Sequence, residues 1–243
     1  MKTAGAMAKA HVKICGITNW KDAAAAISAG ADFLGFNFYK GSPRYIDPSK
    51  ARRIVRRLPK GIQSVGVFVN ETEDDTLEIA RRVGLRYVQL HGDESPEAVR
   101  RLKRSIPVIK ALRVRKPVSD AEFSRFSDAT ALLLDTFDVR KRGGTGKTFD
   151  WDVALRAKGH SPIFLAGGIT PENVADAIRT VKPYAVDVCS GVESSPGKKD
   201  PNRLKALARA IALTQPARRG AQLSERRKAG RTSTLGAKRK AAR

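Results

Sequence analysis

Short apolar runs, many of them β-branched, recur along the chain with amphipathic stretches between them: VKIC, DFLGFNF, SVGVFV, YVQL, PVIKALRV, ALLLD, PIFLAGG and AVDVCSG. From Val12 to Ala185 the runs fall about 25 residues apart, which leaves room in each unit for one strand, one helix and two loops. This rhythm predicts strands paired in parallel. An open doubly wound sheet would share it, but eight evenly spaced units favour closure into a single (β/α)8 TIM barrel over residues 11 to 215.

The stretches between the runs read as helices with marked beginnings. Asp47-Pro48, Ser95-Pro96, Thr170-Pro171 and Asp200-Pro201 each place a capping side chain before a proline. The capping oxygen can accept an orphan amide, and proline at the first helical position gives up no hydrogen bond. After Asp47-Pro48, the residues Ala51, Ile54, Val55 and Leu58 recur at helical spacing and leave Arg52, Arg53, Arg56 and Arg57 to solvent.

Composition adds a basic extension to this picture. Of the net charge of +23, residues 216–243 hold ten Lys or Arg against Glu225, a local +9, with only two leucines among them. So little apolar surface cannot offset the entropy of ordering, so the segment is expected to be a disordered basic tail able to contact nucleic acid or another polyanion non-specifically. Residues 1 to 10 are expected to form a flexible N-terminus. No stretch is apolar enough to span a membrane or act as a secretory signal, so a soluble, cytoplasmic protein is expected, as a monomer or homodimer. Cys15 and Cys189 then read as reduced thiols.

In a barrel of this kind the reactive groups stand at the carboxyl ends of the strands. Cys15 alternates with Lys13 on the first run, so both point inward if Val12 and Ile14 face the helices. A neighbouring ammonium would favour the thiolate; a small buried hydrophobe fits the same position, and position alone leaves both readings open. Asp135 follows three leucines. It fits a general acid with a raised pKa, or a structural ion pair with Lys110 or Lys13. Asp187, inward by alternation with Cys189, fits a partner for Lys13, and Cys189 itself reads as packing. Arg44 in SPR could pair with a carboxylate at the rim, although on the residues alone an exposed position is preferred. His91 could contact a ligand, yet it has no carboxylate at metal-ligand spacing, so no metal is expected. Glycine-rich turns at 143–146, at Gly167-Gly168 and at Ser190-Gly191 favour backbone binding of a phosphate, and GGTGK falls short of a nucleotide-hydrolase loop.

Taken together the segments become specific. KICGIT at 13–18, SPRYI at 42–46, VGVFVN at 65–70, VQLHG at 88–92, LLLDT at 132–136, GGTGKTFDW at 143–151, LAGGITPENV at 165–174 and SGVESSPGKKD at 190–200 resemble, in order, the phosphoribosylanthranilate isomerase family of tryptophan biosynthesis. The resemblance covers about residues 11 to 211. It implies a cofactor-independent Amadori rearrangement of a phosphorylated substrate, with Asp135 as general acid and Cys15 as general base. It also implies Arg44 on the anthranilate carboxylate, His91 and Asp187 among the substrate contacts, and the amides around Gly144, Gly167, Gly168, Ser190 and Gly191 on the phosphate. Cys189 stands where the family more often carries Ser or Asn. A related dual isomerase would have an aspartate in place of Cys15, and a metal-dependent epimerase would need clustered histidines and acids. A nucleic-acid-binding protein driven by the tail and the arginine face is the alternative outside enzymes.

Overall fold

Parallel strands close into a barrel in sequence order in the computed structural model, which describes residues 9–114, 119–135 and 151–214. The strands are β1 (His11–Ile14), β2 (Phe33–Asn37), β3 (Gln63–Phe68), β4 (Tyr87–Leu90), β5 (Val108–Arg113), β6 (Ala131–Asp135), β7 (Ile163–Ala166) and β8 (Ala185–Val188). They alternate with helices α1 (Trp20–Ser28), α2 (Pro48–Val55), α3 (Glu73–Val83), α4 (Pro96–Lys103), α5 (Asp120–Arg125), α6 (Trp151–Ala157) and α7 (Val174–Val181). A short 3₁₀ turn at Ser190–Val192 and a hairpin of β9 (Glu193–Ser195) and β10 (Lys198–Lys199) precede α8 (Pro201–Ala212). The expected closure is present, and the alternative of an open sheet is excluded by the pairing of β1 with β8 in the register His11↔Ala185 to Ile14↔Val188.

Strand alternation divides the apolar residues into two cores. One set, including Phe33, Val65, Ile109, Leu133 and Phe164, fills the barrel interior, while Val12, Ile14, Leu34, Val88, Leu132 and Leu165 face the helices. This division matters for the site. A strand residue with the parity of the inner set points up the barrel axis, and at the carboxyl end it meets whatever enters the mouth.

The helix starts confirm three of the four expected caps. Asp47 accepts from the Ser49 amide at 2.8 Å, Ser95 from Ala98 at 3.2 Å and Asp200 from Asn202 at 2.7 Å, each with proline at the start of the helix. The fourth differs. Helix α7 begins only at Val174, because Thr170 and Asn173 bond to the turn itself: the Thr170 amide donates to Asn173 Oδ1 at 2.9 Å. On α2 the apolar stripe is as expected: Ala51 and Ile54 are buried and the four arginines exposed, although Arg57 also lies 3.9 Å over the Trp20 ring.

The N-terminal and tail expectations fall almost entirely on residues outside those described, as does the loop carrying Gly144. Ala10 is buried. Among the described residues no helix is long and apolar enough to cross a membrane.

Candidate active site

A cavity of about 400 Å³ opens at the carboxyl ends of the strands, lined by Cys15, Asn37, Arg44, Gln89, His91, Asp135, Asp187, Cys189 and the backbone around Gly167, Gly168 and Ser190. Cys15, Asn37, Gln89, His91, Asp135, Asp187 and Cys189 reach it from strands β1, β2, β4, β6 and β8 or the position just beyond them, all with inner parity, and Arg44 joins from the loop after β2. Of the expected site residues only Gly144, outside the described residues, and Gly191 are missing from the lining.

Cys15 sits one residue past the end of β1, where its amide still donates to Val188 at 3.0 Å and so continues the ladder with β8. That register sets Lys13 opposite Asp187 and carries Cys15 on to Cys189. The thiol rests over β2 at a position that needs glycine, since a Cβ on Gly35 would lie 2.7 Å from Cys15 Sγ. Its pKa falls well below the usual thiol value. The hydrogen bond from Cys189 is the largest cause, burial opposes it, and the positive charges of Lys13 and Lys199 add to the lowering. Cys189 moves the opposite way, held as a thiol by its bond to Cys15 and by burial. Cys189, expected as packing, also lines the cavity beside Cys15.

Beneath the thiol lies a buried ion pair. Lys13 Nζ is 2.8 Å from Asp187 Oδ2, with the two side chains 0% and 7% exposed. Burial resists charge on Lys13, but Asp187 and Cys15 overcome it and raise its pKa. For Asp187 burial prevails over Lys13, and its pKa is pushed up to about 6. The pairing of Lys13 with Asp187 expected from alternation is present.

Asp135 ends β6, three strands round from β1 and so almost across the mouth. Its Oδ2 lies 3.3 Å from His91 Nε2, and His91 Nδ1 lies 2.8 Å from Gln89 Nε2. The alternative of an Asp135 pair with Lys110 is not realised, because Lys110 has outer parity and bonds to Glu94 at 2.8 Å among the helices. His91, expected as a substrate contact, lines the cavity and lies against the Asp135 carboxylate.

Arg44 is not the exposed side chain that the residues alone favoured. Its Nε and Nη2 grip the Glu193 carboxylate at 3.0 and 2.6 Å, and Lys199 Nζ reaches the same carboxylate at 2.8 Å. Sequence reasoning missed Glu193 and Lys199. The available signal was the charged pair E193…K199 bracketing a glycine turn, spaced to meet across a hairpin.

The loops after β7 and β8 come together by close backbone contact. A Cβ on Gly191 would lie 2.0 Å from the Ile169 carbonyl oxygen, so glycine there lets the two loops approach closely. Gly167 and Gly168, both with positive φ, and Ser190 present backbone to the cavity. Among the described residues no group of three or more His, Cys, Asp or Glu could hold a metal ion.

Residues 12–210 match the family described as N-(5'-phosphoribosyl)anthranilate (PRA) isomerase. The chain belongs to that family. It is 51% identical over 205 residues to the N-(5'-phosphoribosyl)anthranilate isomerase of Citrifermentans bemidjiense, covering 83% of this chain and 98% of that one. With the enzyme of the same name from Geobacter sulfurreducens it shares 50% identity over 199 residues, 82% of this chain and 97% of that one. The crystal structure of phosphoribosyl anthranilate isomerase from Thermotoga maritima superposes with a TM-score of 0.75 at 44% identity, covering 84% of this chain and 99% of that chain. A further PRA isomerase structure, solved in complex with reduced 1-(o-carboxyphenylamino)-1-deoxyribulose 5-phosphate, gives a TM-score of 0.73 at 42% identity over 84% of this chain and 99% of that one. Membership in the PRA isomerase family thus rests on the whole barrel, and only the ends of the chain lie beyond the match.

Proposed function

We propose that this chain isomerises N-(5-phosphoribosyl)anthranilate to 1-(2-carboxyphenylamino)-1-deoxyribulose 5-phosphate in tryptophan biosynthesis, by general acid and base catalysis without a cofactor. The observation that carries the reading is the placement of Cys15 and Asp135 on nearly opposite sides of one cavity, in a barrel matched along its length to PRA isomerases.

Asp135 donates a proton to the furanose ring oxygen as the C1–O bond breaks, leaving a protonated Schiff base between C1 and the anthranilate nitrogen. That cation draws electrons from the C2–H bond. Cys15, held as thiolate by Cys189, Lys13 and Lys199, takes the C2 proton, and the electron pair moves into a C1–C2 double bond. The resulting enol tautomerises to the ketone as C1 gains a proton. The electron sink is the substrate's own iminium, so the step requires no metal. His91 orients Asp135, and Lys13, held in place by Asp187, brings its positive charge beneath the thiolate.

At the ends of the substrate, Arg44 receives the anthranilate carboxylate and the backbone around Gly167, Gly168 and Ser190 receives the phosphate. Gly144 belongs with the phosphate loops in this reading. The reaction belongs to the cytoplasm. The chain acts as monomer or homodimer, and the Thermotoga maritima isomerase is dimeric by the name given to a structure of monomers generated from it. The test is direct: the purified chain is given N-(5-phosphoribosyl)anthranilate and its fluorescence is followed, with the product identified by mass and by reaction as a ketose. Loss of fluorescence with formation of the ketose supports the reading, and an unchanged substrate overturns it.

A further inference from the structure

Glu193 is nearly closed off from solvent, its side chain 4% exposed, and sits just after the 3₁₀ turn that follows β8. Its carboxylate accepts from Arg44 Nε at 3.0 and 3.1 Å, Arg44 Nη2 at 2.6 Å, Lys199 Nζ at 2.8 Å and the Gly197 amide at 3.2 Å. A group with so many donors is fixed in place, and it fixes them in turn.

The grip on Arg44 is side-on. It consumes Nε–H and one proton of Nη2, and the planar guanidinium then has its end-on edge, formed by Nη1 and the second Nη2 proton, for another planar acceptor. Arg44 lines the cavity with Cys15. Charge favours the same acceptor, since two cations share one carboxylate and leave an excess positive charge. Burial opposes ionisation of Glu193, but the hydrogen bonds from Arg44 and Lys199 keep its pKa below the usual carboxylate value.

We propose that Glu193 is a positioning residue that locks the Arg44 guanidinium with its end-on edge free, making the site selective for a substrate that carries a carboxylate. This rests on the reading of Arg44 as the carboxylate contact. A mobile arginine would bind the same anion but would first lose rotamer freedom, so the role of Glu193 is felt as affinity and not as chemistry.

The test uses Glu193→Gln, which keeps the shape and removes the charge, in the full chain. Two ligands are compared by calorimetry: reduced 1-(2-carboxyphenylamino)-1-deoxyribulose 5-phosphate and its counterpart lacking the carboxylate. The expected result is about tenfold weaker binding of the first with the second unchanged, and a KM raised about tenfold at a kcat within about threefold of wild type. Equal loss of both ligands, or a fall in kcat at unchanged KM, overturns the proposal. Should Glu193→Gln not fold, Glu193→Asp, with its charge on a shorter stem, gives the same selective loss in smaller degree or overturns the proposal by giving none. Arg44→Ala separates the two claims. If it binds both ligands equally well as wild type does, the carboxylate contact fails; if it discriminates and Glu193→Gln does not, only the positioning role fails.

Discussion

Replacing Lys13 by methionine removes one partner of the buried pair and leaves Asp187 in the barrel interior. Truncating one member of such a pair costs about 3–5 kcal/mol, because the remaining charge is uncompensated. No described group stands ready to take over, since Asp187 Oδ1 is buried and already without a hydrogen-bond partner among the described residues. For a domain of this size about 1 kcal/mol moves Tm by about 2–4 °C, so calorimetry of Lys13→Met should show a fall of about 6–20 °C. A second substitution separates stability from chemistry. In Lys13→Met/Asp187→Leu the pair is replaced by apolar groups, which is often neutral or stabilising, so most of the Tm should return. The Cys15 thiol should not return with it, because the Lys13 charge that favours its thiolate is gone. Thiolate absorbance against pH reads this independently of turnover, and in both variants Cys15 should ionise at higher pH than in wild type. A loss below about 1 kcal/mol in Lys13→Met, or a Cys15 titration that recovers along with Tm, would refute the reasoning.

Three further outcomes are expected. The base must be ionised, so kcat/KM rises with pH through the Cys15 ionisation, and this limb lies below the usual thiol pKa of 9.0; Cys189→Ala, which removes the largest cause of the lowering, should move the limb upward in a pH–rate profile. Gly191→Ala places a methyl against the Ile169 carbonyl, so the loops after β7 and β8 must part, and inorganic phosphate should compete with substrate less effectively than in wild type. Removal of residues 216–243 should leave kcat/KM unchanged and abolish retention on a nucleic-acid column at low salt, and retention that survives would assign the polyanion contact to the barrel.

The barrel was legible because each unit states its period and its helix start in local sequence. Asp47, Ser95 and Asp200 cap where they stand, each followed by proline. Thr170-Pro171 misleads because Asn173 competes for the same turn and delays the helix, a choice between two local hydrogen bonds that composition does not rank. Strand alternation was enough to place Lys13, Cys15 and Asp187 inward, and Asp135 stood out at the end of its run, while their roles came from the resemblance to the family. What alternation cannot give is contact between distant segments. Arg44 and Glu193 are 149 residues apart and meet only once β2 and β8 both flank β1. For the same reason the placement of Cys189 beside Cys15 follows only from the register of β8 with β1, and the contact of Gly191 with Ile169 only from the meeting of the loops after β7 and β8.

The central claim is that one thiolate, Cys15, takes the proton from C2 of the opened sugar. It is tested most directly by kcat/KM on N-(5-phosphoribosyl)anthranilate for wild type and Cys15→Ala, with Tm of each recorded alongside. The account predicts a loss of at least about 100-fold at an essentially unchanged Tm, the scale expected for removing a general base. Near-normal turnover by Cys15→Ala would contradict it.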